Sequence, residues 1–326
     1  MALVALLANT AHGFNATDTA QPPDMTGLPA HWTVAAPLQA RLPPSLATVI
    51  RPTDVLSYLA PGIAYPMRNI GLQCQGGNAT LMDVPSSLVS VKTVRGDMET
   101  RFGTAVIDNK KAFRLQIGAN DILPPNHASR CELLAYPMPN SAFPKGQTFW
   151  MAFSFWADDW SGTEDEQLIA QMHIQEPRHI LLNPFFALIV RGNTLRVELR
   201  HNDLEIPSQV STQLVTAAKL TMPTRQWITA VVQARISTKI NERPFLRLWF
   251  NGQQIADYSG PLGYVLPADG YAYPKVGIYH WHAGNDWDLK IPIRIVFIGN
   301  LLTVQDPSDQ YSQHLLQTVV EKAGKR

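Results

Sequence analysis

The sequence predicts an all-β protein, a sandwich or jelly roll in which two antiparallel sheets pack face to face. Short runs of aromatic and β-branched residues recur between turn residues, and no helical patterns separate them. Charged residues make up 16% of the chain, below the roughly 25% usual in soluble domains. The 25 prolines and 20 glycines indicate many turns. A chain of 326 residues with 45% hydrophobic content is long enough for one large β domain and an extension.

Residues 1–60 form the predicted N-terminal extension. This part is rich in Pro, Ala and Thr, and its short apolar clusters follow no clear period. We therefore expect an irregular segment that contacts a neighbour or an assembly partner, not a separate domain. Its apolar start lacks the basic region of a signal peptide. No run in the chain approaches the ~20 apolar residues that a membrane helix needs.

Residues 61–308 form the predicted β domain, because strand signals repeat there at short intervals. Hairpins are predicted at Gly192-Asn193 and Asn251-Gly252, since such dipeptides suit the twist of two paired strands. The first predicted strand is rich in aromatic residues and ends in a turn-like segment. The predicted strands cover residues 149–157, 185–190, 194–200, 227–236, 245–250, 253–258 and 291–298.

The C-terminal tail, residues 309–326, is predicted to contain one short amphipathic helix. Leu315, Leu316, Val319 and Val320 recur there at helical spacing. We therefore expect a helix, and not a further strand, in this part of the chain.

The chain has two cysteines, Cys74 and Cys131, and no zinc-binding spacing. The preferred interpretation of Cys131 is a small buried apolar residue. A single disulfide between Cys131 and Cys74 is the alternative.

Three separate segments place chemically reactive side chains in strand-like surroundings. They are Arg130-Cys131-Glu132-Leu133, Gln171-Met172-His173 and Tyr273-Pro274-Lys275-Val276-Gly277-Ile278-Tyr279. Side chains alternate between the two faces of a strand, so each segment divides into an apolar and a polar face. If the three strands are neighbours in one sheet, their polar faces combine into one groove. An arginine, an amide, a histidine, a lysine and two tyrosines suit the removal of a proton next to a carboxylate.

The alternation assigns each side chain near these segments to a face. In the first segment the core face holds Cys131 and Leu133, and the groove face holds Arg130 and Glu132. Around the second, the predicted core face holds Leu168, Ala170, Met172 and Ile174, and the predicted groove face holds Gln167, Ile169, Gln171 and His173. Around the third, the core face holds Val276 and Ile278, and the groove face holds Tyr273, Lys275, Tyr279 and Trp281. Gly277 would leave a gap on that groove face where a ligand can approach.

These segments resemble the motifs of β-jelly-roll polysaccharide lyases. Jelly-roll alginate lyases carry Arg-x-Glu-Leu, Gln-x-His and Tyr-x-Lys-x-Gly-x-Tyr, and the heparin- and glucuronan-lyase-like group shares the Gln-x-His and Lys-x-Gly-x-Tyr spacing. The resemblance covers about residues 95–305 and implies a concanavalin-like β-jelly roll. Cys131 replaces a usual Ser or Thr, Pro274 replaces an aromatic residue, and His280-Trp281 stands where alginate lyases have x-Gln. The heparin/glucuronan-like group is therefore the closer match.

The resemblance implies eliminative cleavage of a uronate-containing acidic polysaccharide. His173 would act as general base and Tyr279 as proton donor to the leaving oxygen, with Tyr279 as the base in an alternative geometry. Arg130 and Gln171 would neutralise the substrate carboxylate. Lys275 would hold substrate charge or lower the pKa of Tyr279, and Glu132 would orient Arg130. The expected substrate-binding residues are Lys275, Glu132, Tyr273 and Trp281.

Two other functions are open on the sequence alone. The first is a non-catalytic jelly-roll protein that binds carbohydrate or forms a structural part of a large assembly such as a phage particle. A virion-associated depolymerase would combine this function with the lyase. The second is a glycoside hydrolase, which needs two carboxylates about 5–10 Å apart, and no convincing acidic pair occurs on one predicted strand.

The expected partners follow from the predicted chemistry and the charge. No cofactor is required, and a metal site at His280, His282, Asp286 and Asp288 or a structural calcium ion is the alternative. The net charge of +1 gives no sign of a nucleic-acid or membrane-surface partner. We expect an acidic polysaccharide as substrate and assembly partners at the extension. The expected location is extracellular, secreted or on a virion, without a convincing signal peptide.

Overall fold

The computed structural model describes the greater part of the predicted β domain and tail. The described residues are 47–50, 70–76, 79–81, 101–118, 128–135, 145–158, 160, 165–174, 182–265, 272–281, 293–306, 309 and 311–323. The predicted extension lies outside the described residues except for 47–50. The predicted domain boundaries therefore stay predictions.

The described residues form strands, one short 3-10 helix (Ile240–Glu242) and one α-helix. The strands are β1 (Ala47–Ile50), β2 (Ile70–Gly76), β3 (Ala79–Leu81), β4 (Phe102–Ile107), β5 (Lys110–Ile117), β6 (Ala128–Ala135), β7 (Thr148–Ala157), β8 (Glu166–Ile174), β9 (Phe186–Arg191), β10 (Thr194–Asn202), β11 (Gln213–Thr221), β12 (Ile228–Arg235), β13 (Phe245–Phe250), β14 (Gln253–Ser259), β15 (Gly263–Tyr264), β16 (Ala272–Trp281) and β17 (Arg294–Gln305). The helix α1 (Gln313–Ala323) follows. Within the described residues, no helix is long and apolar enough to cross a membrane.

The strands form two sheets, which confirms the predicted all-β jelly-roll class. Sheet A has the order β14-β13-β12-β7-β17-β5-β4, and sheet B has the order β11-β10-β9-β8-β16-β6-β2-β3. The strand β17 pairs with β5 along its first half and with β1 along its second half. Short β15 pairs with β10 in parallel, whereas the pairs along both sheet orders are antiparallel. Four residues of the predicted extension thus belong to sheet A.

The hydrophobic core lies between the inner faces of the two sheets. Sheet A contributes residues such as Phe113 and Phe153, and sheet B contributes Phe186, Val276 and Ile278, all fully buried. The alternation of side chains along strands produces these inner faces, as in β13, where every second residue is buried. Burying one such side chain contributes about 1.5–3 kcal/mol, so this cluster holds the sheets together.

The two predicted hairpins are confirmed. Gly192-Asn193 joins β9 to β10, and Asn251-Gly252 joins β13 to β14 with positive φ angles of 47° and 87°. Positive φ at both turn positions matches the twist of the strands. A third hairpin, between β4 and β5, was not predicted. It turns at Asp108-Asn109, where φ is 49° and 62°, values that Asp and Asn tolerate better than other non-glycine residues.

The predicted C-terminal helix is confirmed and packs on the outer face of sheet A, the face turned away from the core. Its buried residues Leu316 and Val320 contact a second apolar cluster that includes Trp150 and Val231. The Asn300 side-chain amide donates to the Val320 carbonyl over 2.7 Å. The helix therefore covers part of sheet A.

Cys74 and Cys131 form a disulfide that links the neighbouring strands β2 and β6. Both residues are fully buried in the core. The predicted burial of Cys131 is correct, but the preferred free cysteine is wrong and the alternative holds. The reason is the register, which places the two residues directly opposite each other in adjacent strands.

Candidate active site

The three reactive segments lie on adjacent strands of sheet B, in the order β6-β16-β8. The register places Arg130 opposite Tyr279, Lys275 opposite Gln171, and Tyr273 opposite His173. All three strands direct these polar side chains away from the core. A single groove was expected on condition that the three strands are neighbours, and the structure brings the segments together on the outer face of sheet B.

The predicted faces of Leu168 and Ile169 are wrong. Ile169 packs in the core next to Ala170, whereas Leu168 joins Ala187 and Ile189 in a small apolar cluster on the outer face. The register of β8 shifts at this point against both β9 and β16. Such an irregularity reverses the alternation beyond it. Tyr279 packs against the Leu168 cluster, so the shift supplies the apolar support of the Tyr279 ring.

Position 277 requires a glycine for a structural reason that was not predicted from the sequence. A Cβ atom at this position would lie 2.4 Å from the carbonyl oxygen of Cys131 and 2.7 Å from the Cα of Glu132. The φ angle is 150°, in a range that disfavours residues with a side chain. The glycine is therefore required by the close approach of β16 to β6, and not only as a gap for a ligand.

Glu132 and Gln171 are buried partners on the outer face. The Gln171 amide nitrogen donates to Glu132 Oε1 over 2.5 Å, and the two residues are only 2% and 1% exposed, respectively. The other carboxylate oxygen, Oε2, lies 3.9 Å from Arg130 Nη1. A buried carboxylate needs hydrogen-bond donors. Of the two partners of Glu132, Gln171 is the nearer. The expected contact with Arg130 exists but is the longer of the two.

His173 is half-buried beside two cations. Burial is the largest influence on its pKa, and the charges of Lys275 and Arg130 act in the same direction, so the pKa falls from 6.5 to about 4. Hydrogen bonds to the backbone of Ile174 and Leu182 raise the pKa by less. Nδ1 lies 3.0 Å from the Ile174 carbonyl oxygen. A carbonyl only accepts, so this contact favours the neutral tautomer that carries its proton on Nδ1 and its lone pair on Nε2.

Tyr279 is held under the guanidinium of Arg130, whose central carbon lies 4.2 Å from the ring centre. Burial is the main cause that raises the pKa of Tyr279 above 10.0, and Glu132 acts in the same direction. The charge and hydrogen bond of Arg130 oppose this rise. The phenol is therefore protonated at neutral pH. Arg130, and not the predicted Lys275, supplies the charge that lowers the pKa of Tyr279, whereas Lys275 acts on His173.

Lys275 and Tyr273 complete the set around His173. The Lys275 ammonium lies 5.6 Å from the Tyr273 ring centre, and the Tyr273 and His173 ring centres are 6.0 Å apart. Lys275 is only 6% exposed, so its charge acts in a largely buried setting. Trp281 occupies the end of β16, opposite Glu166, and its side chain is outside the described part of the structure.

A charged network that the sequence analysis did not resolve lies farther along the outer face. Arg196 and Arg200 on β10 both bind the buried Glu198, over 3.1 Å and 2.6 Å. Arg196 also contacts Glu166 on β8 across the intervening β9. These residues alternate along β10, which was the one available signal, but the partners come from separate strands. The arginines are therefore paired with carboxylates and do not form a purely basic strip.

The alternative metal site at His280, His282, Asp286 and Asp288 lies mostly beyond the described part of the chain. Among the described residues, no group of three or more His, Cys, Asp or Glu side chains is arranged to hold a metal ion. His282, Asp286 and Asp288 of the predicted alternative lie outside the described residues. His280 is fully buried, with Nε2 3.4 Å from Asp165 Oδ2.

A protein-family model described as polysaccharide lyase matches residues 95–301. This match covers more than half of the chain and includes all three reactive segments. The chain belongs to the polysaccharide lyase family. It is accordingly a lyase, as the motif resemblance predicted, and its substrate is a polysaccharide. No curated protein matches this lyase.

Several solved lyase structures are similar to this chain. A family 7 alginate lyase, A1-II′, in complex with the substrate GGMG, has a TM-score of 0.50 and 14% identity, and the match covers 76% of this chain and 97% of the other. An endo-β-1,4-glucuronan lyase from the fungus Trichoderma reesei has a TM-score of 0.48 and 13% identity, with 75% and 91% covered. The alginate lyase AlgAT5 has a TM-score of 0.48 and 14% identity, with 79% and 99% covered. At these identities the likeness concerns the fold alone.

Proposed function

We propose that this lyase cleaves a uronate-containing acidic polysaccharide by β-elimination on the outer face of sheet B. The observation that carries the proposal is that one outer sheet face holds a neutral imidazole on β8 and a protonated phenol on the adjacent strand β16, together with two cations and an amide. Similar folds occur in proteins described as alginate and glucuronan lyases, whose named polymers contain uronates. The family match gives a polysaccharide as the substrate, and the proposal narrows this substrate to a uronate-containing polymer.

The first requirement of such an elimination is to make the proton on C5 of the uronate acidic enough to remove. Neutralising the adjacent carboxylate allows negative charge to develop during removal of that proton. Arg130 and Gln171 lie on the two strands that flank β16 and would contact the carboxylate from both sides. Lys275, between them on β16, would add a second positive charge. Arg130 and Lys275 against Glu132 leave one net positive charge, which suits one carboxylate.

The second requirement is a base, and His173 would supply it. The lowered pKa keeps its ring neutral at physiological pH, and the hydrogen bond to Ile174 favours the tautomer with its lone pair on Nε2. Nε2 would take the C5 proton, and the electron pair of the broken C–H bond would form the C4–C5 double bond. The bond between C4 and the glycosidic oxygen would break in the same reaction.

The third requirement is an acid for the departing oxygen, and Tyr279 would supply it. Its raised pKa keeps the phenol protonated, so it can donate, and the Arg130 guanidinium above the ring would stabilise the phenolate that forms. The proton gained by His173 would return to Tyr279 through solvent before the next turnover. No water is added across the broken bond, which distinguishes elimination from hydrolysis.

The proposal is tested by the ultraviolet absorbance of the unsaturated uronate product. Purified protein is incubated with alginate, glucuronan, heparin-like and bacterial capsular polymers. We expect absorbance to rise with at least one polymer and the rate to fall by about 10²–10⁴-fold in His173→Ala, the usual contribution of a general base. A well-folded His173→Ala protein with full activity would exclude the assigned base. New reducing ends without absorbance would indicate hydrolysis, and binding without cleavage would support the non-catalytic alternative.

A further inference from the structure

We propose that Glu132 is a positioning residue that holds the amide of Gln171 across strand β16, through the opening at Gly277. The inference rests on the proposed function, because it assigns Glu132 an effect on catalysis through Gln171. It differs from the predictions made from the sequence, in which Glu132 binds substrate or orients Arg130.

The contact distances favour Gln171 as the group that Glu132 holds. Glu132 Oε1 accepts from Gln171 Nε2 over 2.5 Å, whereas Oε2 lies 3.9 Å from Arg130 Nη1. At the second distance, no ordinary hydrogen bond is formed. Glu132 is 1% exposed, so its carboxylate is not presented to a polymer at the surface. Its influence on a substrate must therefore pass through a neighbouring side chain.

The contact between Glu132 and Gln171 spans two strand spacings. Glu132 is on β6 and Gln171 is on β8, and β16 runs between these strands. Neighbouring strands are about 4.7–4.9 Å apart, so the two side chains must meet above β16. The residue of β16 directly opposite Glu132 is Gly277, which has no side chain to stand between them. The glycine of the third segment thus allows the first and second segments to form a hydrogen bond.

Gly277 is independently required by the backbone of β6, because a Cβ there would overlap the Cys131 carbonyl oxygen. One residue therefore meets two demands, the close approach of the strands and the passage of the Glu132 side chain.

The carboxylate fixes which end of the Gln171 amide faces it. A carboxylate only accepts hydrogen bonds, so it binds the nitrogen end of the amide and not the oxygen end. The second hydrogen of Nε2 then has a set direction, which is what contact with a substrate carboxylate requires. Without Glu132, either end of the amide could occupy this place. Misplacing a group by about 1 Å can lower a rate by about 10²-fold.

The inference is tested by a double-mutant cycle on kcat/KM with Glu132→Ala, Gln171→Ala and the double variant. We expect each single variant to lose about 10–100-fold and the double variant to lose little more than Gln171→Ala alone. Glu132→Gln is the second variant if Glu132→Ala does not fold, and it should retain part of the rate because its amide oxygen can still accept. Glu242→Gln is the matched control, since Glu242 accepts from Ser237 over 2.6 Å in a turn between β12 and β13.

The pH profile adds a readout that a purely structural role would not move. The charge of Glu132 raises the pKa of Tyr279, so Glu132→Gln should shift the alkaline limb of kcat/KM to lower pH. Losses that simply multiply in the double variant, or a Glu132→Gln variant as slow as Glu132→Ala, would overturn the inference while leaving the proposed function in place. A wild-type protein that cleaves none of the polymers would overturn the proposed function instead. A double-mutant cycle on unfolding would then still test the contact, and its absence of coupling would refute the pair itself.

Discussion

The outer faces of the two sheets are buried by opposite chemistry. On sheet A, helix α1 covers an apolar cluster of Trp150, Ala152, Val231, Leu302 and Val304. In this cluster the Trp150 indole donates a hydrogen bond to the buried Asp306. On the described part of sheet B, the buried residues include Glu132, Gln171 and Lys275, beside an apolar cluster of Leu168, Ala187 and Ile189.

This difference separates stability from chemistry within one fold. Burying apolar surface stabilises a protein in proportion to the area removed from water. Burying polar groups costs free energy unless each is hydrogen-bonded, and charges cost most. The outer face of sheet A therefore adds to the stability of the fold. The outer face of sheet B retains polar side chains that serve the reaction and do not add to stability in this way. Substitutions on the two faces should accordingly change different quantities.

The largest expected effect is on activity, at Tyr279 on sheet B. Tyr279→Phe removes only the phenolic hydroxyl and keeps the ring against Leu168 and Arg130. We expect kcat to fall by about 10²–10⁴-fold, because the proton donor is lost, with the melting temperature nearly unchanged. Parallel assays of product absorbance and thermal unfolding check this. A large loss of stability with modest loss of rate would contradict the separation of the two faces.

The matching change on sheet A is Leu316→Ala in α1. Leu316 is fully buried against sheet A, and removing a buried leucine side chain to Ala costs about 2–5 kcal/mol. We expect a lower free energy of unfolding in urea, with kcat/KM unchanged below the melting temperature. If activity falls at temperatures where the variant is fully folded, the two faces are coupled through the core.

A smaller effect is expected from pH, through His173. The unfolded side chain takes up a proton below about pH 6.5, but the folded one does so only near pH 4 because burial lowers its pKa. Between these values the unfolded state binds more protons, so stability is fully present above about pH 6.5 and is lost as the pH falls toward 4, on the order of 1–3 kcal/mol.

Unfolding measured from pH 4 to 7 should show this slope in the wild type and a weaker slope in His173→Gln. The same shift predicts that kcat/KM of the wild type falls on the acid side only near pH 4. An acid limb near pH 6.5 would mean that the ring is not buried as described.

The fold class followed from local signals, and the structure explains why these were sufficient. The dipeptides Gly192-Asn193 and Asn251-Gly252 combine the two residue types that best tolerate positive φ, so their turns could be predicted without tertiary information. The hairpin at Asp108-Asn109 lacked a glycine and was missed. The helix α1 was found because Leu316 and Val320 recur at helical spacing, although it begins at Gln313.

The reactive segments were found, but their detailed contacts depend on the register between distant strands. The shift at Ile169 moved Leu168 to the outer face, and no residue near it marks an irregularity in advance. Cys74 and Cys131 are bonded because two strands separated by 57 positions in sequence lie side by side. The contact between Glu132 and Gln171 depends on a third strand, so neither segment alone could reveal it.

The position of β17 has a consequence for the order in which the protein assembles. This strand lies in the middle of sheet A, between β7 on one side and β5 and β1 on the other, yet it comes from residues 294–305. During synthesis, β1, β5 and β7 therefore emerge long before the strand that joins them. Contacts between residues so far apart in sequence slow folding, and strand edges that stay unpaired until β17 is synthesised favour aggregation. A nascent chain that ends before residue 294 would present these edges, so sheet A can close only after residues 294–305 have been made.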